Sequence, residues 1–184
     1  GIIGSGFGGI AAAIELRRAG YDAITIFERA GDLGGVWREN TYPGVACDIP
    51  SPFYCFSYAP NPGWPRRFSH GPVILEYARA LADKHDLRRH LRLHHAVTRA
   101  DFDADRRGWV VQSAAGETTF VDVLVSAVGQ LSQPAWPQIR GIDTFAGPAF
   151  HSAQWDHSVS LSGRRVAVIG TGASAIQFVP QIQP

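Results

Sequence analysis

With 184 residues, 45% of them apolar and 18% charged, the chain is a core-forming globular polypeptide and not a disordered one. A formal net charge of +1 argues against a nucleic-acid or anionic-membrane partner. The two cysteines, Cys47 and Cys55, form neither a disulfide framework nor a metal spacing, so a cytoplasmic location is expected. No apolar run approaches the roughly 18 residues that span a bilayer, and no signal peptide is visible. The absence of methionine, the short opening strand and a helix-like ending at Ser174 to Gln183 read as a segment cut from a longer protein.

The opening residues carry G-x-G-x-x-G as Gly4, Gly6 and Gly9 behind an apolar stub, Ile2-Ile3. Ile10 to Ala19 is a strong helix former ended by Gly20. Ala23 to Phe27 reads as a buried strand, and Glu28 follows it. Strand, glycine turn, helix, strand and acid make one βαβ dinucleotide-binding unit. In such a unit Gly4 forms the tight turn, Gly6 lets backbone N–H groups approach a pyrophosphate, Gly9 packs helix on strand, and Glu28 accepts from a ribose.

Arg29 to Tyr54 follows without periodicity, punctuated by Gly34-Gly35 and by the turn Tyr42-Pro43-Gly44. So long an irregular stretch belongs in a compact domain when it wraps a ligand. Its aromatics (Trp37, Tyr42, Phe53, Tyr54, Phe56, Tyr58) either roof a core or line a flat ring system. Pro72 to Lys84 is amphipathic and predicts a helix. Arg88-Arg89-His90-Leu91-Arg92 reads as a solvated helix end and strand entry. The strands 91–95, 97–102, 109–113 and 118–121, with a turn at Asp105 to Gly108, predict a small antiparallel sheet. His70, His85, His90, His94 and His95 lack the company of a metal site and read as surface or half-buried residues.

Val123 to Gly129 predicts another buried strand, and the prolines after it mark a linker. Arg165 to Ile169 then reads as a strand leading into Gly170-Thr171-Gly172-Ala173-Ser174-Ala175 and the start of a helix. This is either a second dinucleotide-binding start of the form G-x-G-x-x-A or one more βα unit of the first sheet. Two nucleotide folds in one chain suggest two cofactors, with hydride passing from a nicotinamide to a flavin. The residues that choose between NADH and NADPH are not among those present.

The stretch from Gly34 to Asp48 resembles the G-G-x-W-x-x-x-x-Y-P-G-x-x-x-D signature of Baeyer–Villiger monooxygenases. Phe145, Gly147, His151, Trp155 and Asp156 resemble that family's second fingerprint, F-x-G-x-x-x-H-x-x-x-W-(P/D). The resemblance covers essentially the whole chain. It implies FAD held at its pyrophosphate by Gly4, Gly6 and Gly9 and at its ribose by Glu28. Gly35, Trp37 and Tyr54 would contact the flavin half, Val97 the adenine side, and Gln130 would lie near the domain junction. Asp48 would be the catalytic acid beside the flavin and NADP; without the fingerprint it reads rather as a turn-capping aspartate with no catalytic duty, and the fingerprint reverses that reading. Thr171, Gly172, Ala173, Ser174 and Gln177 would cradle NADPH, while His151 and Trp155 would couple the nucleotide domains. One departure is Ala46, where the family often has a basic residue. The family's catalytic arginine is not among the residues present.

The fold class expected is α/β: a Rossmann-like FAD-binding domain with a small antiparallel insertion, then the start of a second, NADP-binding Rossmann-like domain. The boundaries expected are 1–133, a linker over 134–162, and 163–184. The implied activity is NADPH- and FAD-dependent insertion of one oxygen of O2 into a ketone, through a C4a-peroxyflavin, to give an ester or lactone. Two other readings stand: a flavin monooxygenase acting on N or S atoms, and an inactive FAD-binding fragment. Flavin disulfide-reductase chemistry is disfavoured, because no redox cysteine pair accompanies the loop.

Overall fold

The computed structural model describes residues 1–183, which fall into two compact units. The first comprises Gly1–Val36 and Leu75–Ser132; the second comprises Trp37–Ile74 and the chain from Gln133 onward.

The first unit is built on a four-stranded parallel sheet of order β3-β2-β1-β7. Its strands are β1 (Ile2–Ile3), β2 (Ile26–Phe27), β3 (Leu91–Arg92) and β7 (Val125–Ser126). Ile2 and Ile3 face Ile26 and Phe27 on one side and Val125 and Ser126 on the other. The strands expected over 23–27 and 123–129 are therefore shorter than predicted. The physical reason is β1, whose chain turns away at Gly4. Its neighbours add flanking bonds, from Ile2 N to Thr25 O (2.8 Å), Gly4 N to Phe27 O (2.8 Å), Val125 N to Gly1 O (2.8 Å) and Ala127 N to Ile3 O (2.9 Å).

Helix α1 (Phe7–Arg18) crosses from β1 to β2 and begins three positions before the predicted Ile10. It buries Ile10, Ala13 and Ile14, the i, i+3, i+4 spacing of one helical face. Each such isoleucine contributes about 1.5–3 kcal/mol when fully buried. Gly20, at φ +90°, takes the left-handed position just past the helix end, where glycine is least strained.

Between β3 and β7 lies the antiparallel sheet β4 (Val97–Asp103), β5 (Gly108–Ser113) and β6 (Thr118–Val121), in that order. The turn between β4 and β5 covers 104–107, one residue ahead of the predicted Asp105 to Gly108, because Gly108 already pairs with Asp103. The segment 91–95 does not join it. Leu91–Arg92 edges the parallel sheet instead, and His94 and His95 continue along β2's exit, with His95 N bonded to Glu28 O at 2.7 Å. His90 and His95 are also more buried than expected: His90 Nδ1 lies 3.1 Å from Ile24 O, and His95 stacks on Phe27 at 5.2 Å.

Helix α2 (Val36–Glu39) and a 3-10 turn at Ser51–Phe53 punctuate the long predicted loop. Helix α3 (Gly71–Lys84) matches the amphipathic stretch and buries Ile74, Ala78, Leu81 and Ala82. In the second unit, α4 (Ala173–Ile182) forms as expected, but Arg165 to Ile169 does not become a strand. A strand exists only as half of a ladder, and none of the described residues pairs with this segment, so Val166, Val168 and Ile169 stay exposed.

Candidate functional site

At the first glycine turn the backbone leaves no room for a side chain at Gly4 or Gly9. Gly4 sits at φ +98°, and a Cβ there would lie 2.5 Å from Ala127 O. A Cβ on Gly9 would lie 1.9 Å from Gly4 O, so α1 packs directly on the turn. Gly6 is the N-cap of α1, and the first turn of that helix contains no acidic residue. Its N-terminal N–H groups and dipole therefore remain suited to an anion. Gly34 N donates to Ser5 O (3.0 Å), and Gly35, at φ +55°, lies so close that a Cβ there would be 3.0 Å from Gly6 Cα.

Glu28 is buried beside this turn. One carboxylate oxygen accepts from Ser5 N (3.1 Å) and Ser5 Oγ (2.6 Å), and the other accepts from Ala30 N (2.9 Å). Ser5, which sequence reasoning missed, belongs to this candidate site by its contact with Glu28; a hydroxyl inside the glycine motif, answering the acid at the end of β2, is the available signal. Just beyond, Asp32 accepts from Leu33 N and from two guanidinium nitrogens of Arg79 (3.0 and 2.8 Å). Burial alone would raise its pKa. The Leu33 N–H, Arg79 and Arg88 outweigh burial and hold the carboxyl below its ordinary value. Elsewhere in this unit, Val97 is half-buried opposite Ser113, and Gln130 is exposed next to Gly129.

The second unit gathers three candidate residues around the long loop. Trp37 Nε1 donates to the Tyr54 hydroxyl (2.9 Å), and the two rings meet edge to face at 5.4 Å. Burial pushes the Tyr54 phenol up, the Trp37 bond opposes this, and the charges of Cys47 and Asp48 add to the rise. Asp48 is itself exposed and follows buried Cys47, whose N–H donates to Ser69 O (2.9 Å). The cluster thus presents one carboxylate to solvent beside a neutral phenol and an indole.

The second glycine turn runs straight into α4, with Gly172 as its N-cap and Ile176 N bonded to Gly172 O (3.2 Å). Thr171, Gly172 and Ala173 are exposed, Ser174 is half-buried, and a Cβ on Gly170 or Gly172 would meet nothing within 4 Å. Gln177 uses its amide on the loop: Oε1 accepts from Tyr42 OH (2.9 Å) and Ala46 N (3.2 Å), while Nε2 donates to Ala46 O (2.8 Å). Trp155 packs at 5.1 Å against both Phe178 and Phe150, and His151 Nδ1 accepts from Ala153 N (3.1 Å).

A glycine turn opening a helix, a buried acid at the end of the next parallel strand and a second glycine turn together define a Rossmann-like dinucleotide-binding protein. The chain belongs to the flavin-binding monooxygenase-like family, whose model matches residues 1–183. It is 54% identical to a Baeyer–Villiger monooxygenase of Streptomyces coelicolor, over 100% of this chain and 35% of that protein. Its structure is similar to that of a cyclohexanone monooxygenase from Rhodococcus sp. Phi1 bound to NADP+, with a TM-score of 0.88 and 37% identity over 98% of this chain and 35% of the other. It is similar also to OTEMO in complex with FAD and NADP, with a TM-score of 0.89 and 35% identity over 98% and 36% of the two chains. The resemblance read from the two fingerprints is thereby borne out. The chain spans about a third of the length of the relatives it matches. Among the described residues no helix is long and apolar enough to cross a membrane.

Proposed function

We propose that this chain supplies the FAD-binding region, the linker and the opening of the NADP-binding region of a flavin-dependent monooxygenase. The regions are 1–133, 134–162 and 163–184. Its reaction is NADPH-dependent insertion of one oxygen of O2 into a ketone to give an ester or lactone. The observation that carries this reading is the Ser5–Glu28 pair: a buried carboxylate is locked at 2.6 Å to a hydroxyl inside a turn whose Gly4 and Gly9 have no room for a Cβ. Such a cradle fits a dinucleotide, and the family match makes the dinucleotide FAD.

In this reading Gly4, Gly6 and Gly9 bring backbone N–H groups up to the pyrophosphate, and the α1 N-terminus offsets its charge. Glu28, oriented by Ser5 and Ala30, binds the ribose. Gly35, Trp37 and Tyr54 hold the flavin half; the raised phenol pKa keeps Tyr54 a neutral hydrogen-bonding group at working pH. Val97 serves the adenine end and Gln130 the domain junction. Thr171, Gly172, Ala173 and Ser174 receive the NADPH phosphates on the N-terminus of α4, with Gln177 one turn further along that helix. Bound FAD supplies the oxygen-activating chemistry, with NADPH as the source of reducing equivalents. Asp48 places a carboxylate at the edge of the Trp37–Tyr54 pair, where it orients the nicotinamide and the reacting groups.

The test is Asp48→Ala in the full-length protein, with a cyclic ketone and a thioether as substrates. Because Asp48 is exposed, stability should change by no more than about 0.5 kcal/mol, and the flavin absorbance should persist. Ester or lactone formation should fall by roughly a hundredfold, the scale of losing one positioned catalytic group. Unchanged ketone turnover would remove Asp48 from the site. A wild-type protein that oxidises only the thioether would overturn the Baeyer–Villiger assignment.

A further inference from the structure

We propose that Gln177 is a positioning residue that fixes the Asp48 loop onto α4, so that the helix opened by the second glycine turn also sets the catalytic carboxylate. The proposal rests on the reading just given, and four observations carry it. Gln177 pairs both ends of its amide with one peptide unit, accepting from Ala46 N and donating to Ala46 O, while Tyr42 OH bonds the same Oε1. Only a side-chain amide of this length can complete such a two-way pairing one turn into a helix. The loop backbone also touches the helix directly. Gly44 lies at φ +78°, and a Cβ there would meet Gln181 Cγ at 2.7 Å and Gln177 O at 2.8 Å.

Around these polar contacts Tyr42, Val45 and Phe178 form a buried apolar cluster, with Trp37 and Trp155 packed against it. Hydrogen bonds shielded in this way are costly to leave half-made. On its other side Ala46 bridges His70, and Cys47 N bonds Ser69 O, so the two residues ahead of Asp48 are gripped from both flanks. This also gives position 46 a role that its small side chain does not reveal. Where the family often carries a basic side chain, this chain uses the Ala46 peptide group.

The experiment uses the full-length flavin-loaded protein with Gln177→Met, which keeps the length and removes the pairing, and Gln177→Glu, which sets an oxygen against Ala46 O. Amide hydrogen exchange at Ala46, read without substrate, should quicken by about tenfold or more in Gln177→Met, the scale of one to two lost hydrogen bonds, and by less in Gln177→Glu, whose carboxylate still accepts from Ala46 N. Ester formed per NADPH consumed should fall severalfold in both variants, and the flavin absorbance band should shift. The KM for NADPH is not the diagnostic readout, since Gln177 also stands in the NADPH cradle; exchange at Ala46 and the coupling of ester to NADPH are. Tyr42→Phe, which deletes only one of the three bonds, should move exchange and coupling in the same direction by less, and it decides the matter if the Gln177 variants fail to fold. Unchanged exchange at Ala46, or an effect confined to the KM for NADPH with full coupling, overturns the proposal. A wild-type protein that holds no flavin overturns the monooxygenase reading instead, and the exchange measurement still decides the clamp.

Discussion

The two glycine turns carry nearly the same letters and are held by different means. At the first, two parallel strands flank β1, a backbone oxygen stands where Gly4 would need space for a Cβ, and Ser5 locks a buried acid beside the turn. At the second no strand precedes the turn among the described residues, and its glycines at 170 and 172 border open space. What orders the second is downstream: α4 seals itself on the long loop through Gln177, Phe178 and the Trp155 ring. Among the described residues, then, converging strands hold the first glycine turn, and the packing of α4 on the long loop holds the second.

The sharpest way to break this contrast is Gly9→Ala. The new methyl would sit 1.9 Å from Gly4 O, a backbone atom with no rotamer by which to retreat. Denaturant unfolding of the full-length protein should show a loss of about 3 kcal/mol, the upper range for overpacking, together with loss of bound flavin. A stability within error of wild type would mean that α1 is not packed on the turn as described. Next in size is Glu28→Gln. The carboxylate accepts from two backbone N–H groups and one hydroxyl, and an amide must turn its NH2 toward one of those donors. The variant should bind FAD more weakly by roughly ten- to a hundredfold in titration, as expected for about 1.5–3 kcal/mol of charge-assisted bonding. Unaltered affinity would show that Glu28 braces the turn without touching the ribose.

How much of this was legible in the residues differs in the same way between the two regions. The first βαβ unit was readable because its strand, turn, helix and acid are contiguous, and the structure places Gly4, Gly6, Gly9 and Glu28 in one cluster. Strand lengths were not readable, because the ends of β2 and β7 are set by where β1 turns away and not by their own apolar residues. Residues 91–92 edge the parallel sheet and not the antiparallel one for a related reason: propensity marks a strand, but partners choose its sheet. Trp37 and Asp48 stand inside the Gly34–Asp48 fingerprint and Tyr54 follows only from the family resemblance, whereas the Ser5–Glu28 contact and the Gln177–Ala46 pairing are tertiary facts. The latter joins residues 131 apart in the chain, which no local pattern encodes.

Gly172→Ala is the matched probe at the second turn. Gly172 has φ −72°, which any residue adopts, and nothing within 4 Å of the added methyl. Stability should therefore change by less than about 0.5 kcal/mol. If phosphates close on this turn as proposed, the methyl obstructs them, and the KM for NADPH should rise by about tenfold, or 1.4 kcal/mol of lost binding. A stability loss comparable to that of Gly9→Ala would erase the distinction between the turns. An unchanged KM would leave α4's N-terminus without a nucleotide.

The smallest expected effect separates two aspartates whose pKa values are both lowered. Asp156 owes its shift first to the Ser158 hydroxyl and then to the Ser158 N–H, two residues away, contacts that an unfolded chain can also make. In Asp32, burial opposes the shift and is outweighed by Leu33 N–H and by Arg79 and Arg88, which only folding brings near. A carboxyl whose folded pKa lies below its unfolded one stabilises the fold above the unfolded value, about pH 3.9, and loses that contribution as pH falls through the folded value. Asp32→Asn should thus cost stability at neutral pH, by less than about 1 kcal/mol because the cluster is partly solvated. The gap to wild type should close as the pH is taken below about 4. Asp156→Asn should show no such pH-dependent gap, and equal behaviour of the two variants in acid titration would mean that Asp32's arginines hold it no more firmly than a local turn does.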